Sequence, residues 1–149
     1  MGKKKSGSNA QVTATYGYDD AELALDGTSA ELKAKGNELV KLGQFAQAHK
    51  AFSAAIDKAG PEDELHVFYS NRSLCSLSLN KPEDAQADAR KVIELKPDWP
   101  KGYARLGNAL AGSGKHGEAV KAFAAGLAHD PTSVALVDGI KVSSATPEG

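Results

Sequence analysis

The chain has little of what disulfide stapling, membrane insertion or nucleic-acid binding would require. Cys75 is its only cysteine, which excludes a disulfide framework and a cysteine pair for a metal. No apolar run approaches the ~20 residues of a membrane span. The formal net charge of −1 gives no overall attraction to nucleic acid or to a membrane, so electrostatic recognition must come from local clusters. We therefore expect a cytoplasmic protein of a reducing compartment, without nucleic-acid or membrane partners.

Motifs for catalysis and metal binding are also scarce. The histidines do not have the spacing of metal ligands, and no Ser/His/Asp or Cys/His arrangement stands out. Gly112-Ser113-Gly114-Lys115 faintly resembles a phosphate-binding loop, but His116 stands where that loop needs a serine or threonine. We expect no enzymatic activity, no metal and no cofactor.

The first 27 residues differ in composition from the rest of the chain. They are rich in Gly, Ser, Lys, Asp and Thr and show no sustained period, which predicts a mobile N-terminal tail over residues 1–27. Gly2 fits the loose myristoylation pattern, although we expect Lys3 directly after it to make a poor acylation substrate. Thr28 followed by Glu31 has the spacing of a capping box, which predicts the first helix and the start of a domain over 28–145.

Small and aromatic residues recur at a fixed interval along this domain. Gly36 and Gly107 are 71 residues apart, and the spacings around them are identical. Pro97 and Pro131 are 34 residues apart, so the longer interval corresponds to two units with about three additional residues, which we place at 61–63. This period is typical of stacked helical hairpins, none of which can bury its apolar face alone. The matched pairs are Leu32/Tyr103, Gly36/Gly107, Gly43/Gly114, Phe45/His116, Ala48/Ala119, Phe52/Phe123 and Ala55/Gly126.

The repeats predict an all-α fold of seven helices without strands. Each repeat contains a helix A and a helix B, and an amphipathic stretch after the third repeat forms a capping helix. Gly139 within that cap should weaken it by roughly 1 kcal/mol relative to alanine. We place the repeats at about 29–62, 66–99 and 100–131, with A helices near 29–42, 66–79 and 99–112, B helices near 45–58, 82–95 and 116–128, and the cap at 132–144.

The A helices share a face that carries cations and amides but no acid. Its polar positions include Lys33, Lys101 and Arg105, together with three asparagines. Lys33 and Arg105 have no carboxylate three or four residues away along their helices. The same is true of Arg72, which lies off this face, so the charge pattern alone allows either an anion-binding site or ordinary solvated charge.

Three segments resemble the dicarboxylate-clamp tetratricopeptide-repeat (TPR) domains of co-chaperones. They are residues 32–37, 69–73 and 96–105, and they are most similar to the first TPR domain of the Hsp-organising, stress-inducible (Sti-type) co-chaperones. The resemblance implies a right-handed superhelical solenoid with a concave peptide groove. Asn80-Lys81-Pro82 departs from the Gly-Asp-Tyr that the family often has. The family's clamp positions fall on Lys33, Asn37, Asn71, Lys101 and Arg105.

The resemblance also implies a function. Clamp-type TPR domains bind the acidic C-terminal tail, of Glu-Glu-Val-Asp type, of heat-shock protein 70 or heat-shock protein 90, and the resemblance places the former first. Leu74, Leu77 and Asn108 would line the groove, although both leucines also suit core packing between helices, which is favoured for Leu77. We expect a monomeric co-chaperone adaptor. Two alternatives stay open, namely a TPR scaffold for an internal segment of another protein and a TPR arm of a longer immunophilin- or phosphatase-type chain.

Overall fold

The computed structural model describes residues 23–147, and over that range the chain forms seven α-helices and no strand. The predicted all-α fold is confirmed, and each helix begins and ends within about two residues of its expected bounds. Residues 1–22, which include Gly2 and most of the expected tail, lie outside the described residues. The helices are α1 (Ser29–Lys41), α2 (Phe45–Lys58), α3 (Leu65–Ser78), α4 (Pro82–Leu95), α5 (Pro100–Gly112), α6 (His116–Leu127) and α7 (Val134–Ala145).

The chain divides into two compact units, with the boundary after Asp63. In the first unit α1 packs against α2. In the second, α3 pairs with α4, α5 with α6, and α7 packs on α6 as the predicted cap. Helix α5 occupies the middle of the second unit, since it also contacts α3, α4 and α7.

The first unit begins at the predicted capping box. The Thr28 hydroxyl accepts a hydrogen bond from the Glu31 amide at 3.1 Å, and the Glu31 carboxylate accepts one from the Thr28 amide at 2.8 Å. Gly36 allows α1 and α2 to approach, because a Cβ atom there would lie 2.6 Å from the Phe52 ring. The same ring is fully buried, so the glycine and the aromatic residue of the repeat form one packing unit.

The second unit repeats this packing and extends it to the cap. A Cβ atom on Gly107 of α5 would lie 2.3 Å from Phe123, and one on Gly139 of α7 would lie 2.7 Å from the same ring. Phe123 therefore lies between two glycines on different helices. We predicted Gly139 to be a weakness of the cap, but a methyl group at this position would collide with Phe123, so the cost in helix propensity is the smaller effect.

The loops between helices A and B take the same conformation in all three repeats. Gly43 and Gly114 have φ angles of 74° and 80°, and Asn80 has a φ of 61° at the equivalent place. Asparagine is among the few residues other than glycine that adopt this left-handed conformation at low cost. The departure at Asn80 from the family pattern therefore leaves the backbone turn unchanged.

Candidate peptide-binding site

Arg105 is a half-buried cation that no carboxylate within residues 23–147 neutralises. It lies on α5, and its Nε atom donates a hydrogen bond to the hydroxyl of Ser70 on α3 at 3.0 Å. Burial lowers the pKa of the guanidinium from its usual value, yet an arginine remains charged at neutral pH. Burying a charge without an opposite charge is unfavourable, so this residue is ready to bind an anion.

Lys101 and Asn71 lie on the same two helices as Arg105 and its partner Ser70. Lys101 lies one turn before Arg105 on α5 and is exposed, while Asn71 directly follows Ser70 on α3. The Lys101 ammonium group lies 5.8 Å from the centre of the Trp99 ring. The second unit therefore brings three of the five predicted clamp residues to the adjoining helices α3 and α5.

Trp99 and His66 form a contact that the sequence patterns did not reveal. Their rings meet edge to face, with centroids 4.8 Å apart, at the start of α5 and of α3. Trp99 stands immediately before the first turn of α5, where Pro100 gives up no helical hydrogen bond. This aromatic pair supports the end of α5 that carries Lys101.

The other two clamp residues, Lys33 and Asn37, lie one turn apart on α1 in the first unit. Lys33 is half-buried and Asn37 is exposed. The helical spacings also missed a carboxylate that the Lys33 charge influences, because that charge is the smallest of the causes that act on the lowered pKa of Asp63. The main causes of that lowering are hydrogen bonds to the Asp63 carboxylate from the Gly60 amide and the Ser29 hydroxyl, each at 2.8 Å.

The three predicted groove residues have different surroundings. Leu77 packs against the end of α5, since a Cβ atom on Gly112 would lie 2.8 Å from the Leu77 side chain, which supports the packing alternative. Leu74 is half-buried on α3. Asn108 is exposed and lines a pocket with Ala111 of α5 and with Val142 and other residues of α7. The assignment of all eight residues to a peptide site stays a prediction.

A family model of the tetratricopeptide repeat matches residues 33–69 and 77–134, which is more than half of the chain. The chain belongs to the TPR family. Among its relatives is the Hsp70-Hsp90 organizing protein of Triticum aestivum, to which it is 46% identical over 121 residues. That alignment covers 78% of this TPR chain but only 20% of the relative, so the chain spans about a fifth of that protein's length.

Solved TPR domains of similar structure include two that hold chaperone peptides. The second TPR domain of human RPAP3, in complex with the Hsp70 peptide SGPTIEEVD, has a TM-score of 0.72 at 25% identity and covers 79% of this chain and 96% of that domain. The first TPR of Spaghetti (RPAP3), bound to the Hsp90 peptide SRMEEVD, has a TM-score of 0.72 at 26% identity and covers 78% of this chain and 90% of that one.

Arg72 is a structural residue of the second TPR hairpin. Its guanidinium forms two hydrogen bonds of 2.8 Å to the carboxylate of Asp88 on α4, and it also lies over the Tyr69 ring. The expectation from helical spacing that Arg72 lacks a carboxylate partner was wrong, because its partner is 16 residues away on the neighbouring helix. Arg72 therefore joins α3 to α4, whereas the one hydrogen-bond partner of Arg105 within residues 23–147 is a neutral hydroxyl.

No group of three His, Cys, Asp or Glu residues in residues 23–147 is placed to hold a metal ion. Over the same range, none of the helices has the length and apolar character that crossing a bilayer requires.

The buried thiol of Cys75 should make stability fall at alkaline pH. Burial raises the pKa of Cys75 from 9.0 to about 12, with the Arg105 charge opposing the shift. Above about pH 9 the unfolded chain loses the thiol proton that the folded chain keeps, and this deprotonation favours the unfolded chain. The free energy of unfolding therefore falls as the pH rises from about 9 towards 12. Denaturant unfolding at pH 8 and pH 10 should show wild type losing about 1 kcal/mol more than Cys75→Ala. Equal losses in both chains would contradict the shift.

Proposed function

We propose that this TPR chain is a co-chaperone adaptor that binds the acidic C-terminal tail of heat-shock protein 70 or heat-shock protein 90. The observation that carries the proposal is the half-buried guanidinium of Arg105, whose partner in the described chain is a hydroxyl group and not a carboxylate. A site of this kind favours a ligand that brings its own negative charge. The relatives and the peptide-bound TPR neighbours support a chaperone tail as that ligand.

The chemistry of the ligand explains why a terminal aspartate would suit the site. Such a residue carries two carboxylates, one on the side chain and one at the chain end. The two cations Lys101 and Arg105, with the Asn71 amide, offer donors from α3 and α5. The family resemblance also assigns Lys33 and Asn37 of α1, in the first unit, to the clamp. Each charge-assisted hydrogen bond contributes about 1.5–3 kcal/mol net. After the cost of ordering the peptide, we expect affinity in the micromolar range, about −8 kcal/mol.

The proposed adaptor acts in the cytoplasm, as a monomer and without catalysis. Its role would be to hold a chaperone by its tail. Where the chain forms part of a longer protein, as the span of the Triticum aestivum relative suggests, the tail would be brought to the other domains of that protein.

Calorimetric titration with peptides tests this function. Two peptides ending in Glu-Glu-Val-Asp, one with the upstream residues of an Hsp70 tail and one with those of an Hsp90 tail, should both bind, and we expect the Hsp70 tail to bind more tightly. A control peptide has the same composition with the acidic motif moved inside the sequence and a neutral C-terminus. Tighter binding of the control would favour the scaffold alternative, in which an internal segment is the ligand.

A further inference from the structure

A hydrogen bond joins Ser70 of α3 to Arg105 of α5 within the candidate site. Ser70 is fully buried on α3, and its hydroxyl accepts a hydrogen bond from the Arg105 Nε atom at 3.0 Å. A guanidinium group is planar and carries five N–H donors in a fixed arrangement. Since Ser70 uses the Nε donor and no other residue within 23–147 accepts from Arg105, the four N–H groups on the two terminal nitrogens stay available there, and the bond restricts the orientation of the group.

The chemical identity of this partner matters as much as its position. A carboxylate at position 70 would orient the guanidinium but would also neutralise it, as Asp88 does for Arg72 in the same unit. A hydroxyl group orients the guanidinium without adding a negative charge. Arg105 thus keeps its full positive charge in a fixed orientation, although burial lowers its pKa and opposes the charge. This is the arrangement that preorganised recognition of a carboxylate requires.

We propose that Ser70 is a positioning residue, which holds the Arg105 guanidinium in the orientation that binds the terminal carboxylate of the peptide. This inference rests on the proposed function. Ser70 need not touch the ligand, since it acts through Arg105.

A second serine on α3 provides a matched control. Ser73 is also buried, and its hydroxyl donates a hydrogen bond of 2.9 Å to the backbone carbonyl of Ala85 on α4. Ser73→Ala therefore removes one buried hydroxyl and one hydrogen bond from the same helix, as Ser70→Ala does. The two variants differ in that one of them takes away the partner of Arg105.

The experiment measures how strongly each variant prefers a free C-terminal acid. Wild type, Ser70→Ala and Ser73→Ala are titrated with a Glu-Glu-Val-Asp peptide and with the same peptide amidated at its C-terminus. Ser70→Ala should lower affinity for the free acid by about tenfold. Its affinity for the amidated peptide should change much less, so the preference falls. Ser73→Ala should keep the wild-type preference even where its melting temperature is lower.

Two further variants make the test specific to Arg105. Lysine has no Nε guanidinium donor, so in an Arg105→Lys background the additional change Ser70→Ala should weaken binding by less than about twofold. Ser70→Cys keeps the shape of the side chain with a somewhat larger atom and replaces the oxygen with a weak acceptor, and it should reproduce the effect of Ser70→Ala. Ser70→Cys also replaces Ser70→Ala as the test variant if the alanine variant does not fold.

The outcomes separate the two proposals. A wild-type chain without preference for the free acid would overturn the proposed function and, with it, the role of Ser70. A clear wild-type preference that Ser70→Ala and Ser70→Cys leave unchanged would overturn the positioning role alone. Equal weakening by Ser70→Ala in the wild-type chain and in the Arg105→Lys background would likewise show that the serine acts independently of the arginine.

Discussion

Arg105→Ala should reduce affinity for a free-acid Glu-Glu-Val-Asp peptide by at least about thirtyfold, roughly 2 kcal/mol. The change removes a half-buried cation whose only hydrogen-bond partner in the described chain is Ser70, so a ligand carboxylate would lose its best-oriented donors. Amidation of the peptide removes one carboxylate from the other side of the same contact, and it should weaken wild-type binding by a similar factor. Isothermal titration calorimetry on both peptides measures both effects.

The combination of the two changes is more informative than either alone. Amidation should weaken binding to Arg105→Ala only slightly, because the donor that reads the terminal charge is already absent. Arg90→Ala is the matched control, since Arg90 is an exposed arginine on α4 and its removal changes net charge equally. An amidated peptide that bound wild type as tightly as the free acid would exclude a terminal-carboxylate clamp and favour recognition of an internal segment.

Gly107→Ala should destabilise the fold by about 3 kcal/mol, at the upper end of what overpacking usually costs. The added Cβ atom would lie 2.3 Å from the Phe123 ring, and that ring cannot retreat because Gly139 of α7 lies against it as well. For a domain of this size the melting temperature should fall by about 10 °C. Thermal unfolding followed by circular dichroism gives this value directly.

A smaller side chain at position 123 should relieve the collision. In a Phe123→Leu background, Gly107→Ala should cost clearly less than it does in wild type, which a double-mutant cycle reports as coupling. If Gly107→Ala melted within about 2 °C of wild type, the close approach of α5 to Phe123 would be wrong.

The helices could be predicted from the sequence because the information is local and repeated. The capping box at Thr28 and the prolines in the first turns of α4 and α5 each act over a few residues. The regular interval between glycines shows the same local pattern recurring along the chain. The cations of the A helices could be found in the same way. Their types and spacings are visible along the chain, and the resemblance to clamp-type domains gave them a role.

The contacts between helices could not be predicted by the same means. A search for opposite charges three or four residues away on the same helix misses Asp88 as the partner of Arg72, because Asp88 lies on another helix. It also misses the effect of Lys33 on Asp63, because Asp63 lies in a junction between helices. Gly139 was misjudged for a related reason. Helix propensity describes an isolated helix, whereas the packing of Phe123 decides what the position tolerates.

One turn of α3 carries neighbouring side chains that contact different helices. Ser70 contacts α5 and Arg72 contacts α4, with Asn71 between them. Under the proposal above, position 70 affects ligand affinity through Arg105, whereas position 72 affects stability through Asp88. A library built to redirect this domain to new peptide ends should therefore vary positions 70, 71 and 105 and keep Arg72 and Asp88 fixed. Randomising the whole turn would discard most members as unfolded before their specificity could be assayed.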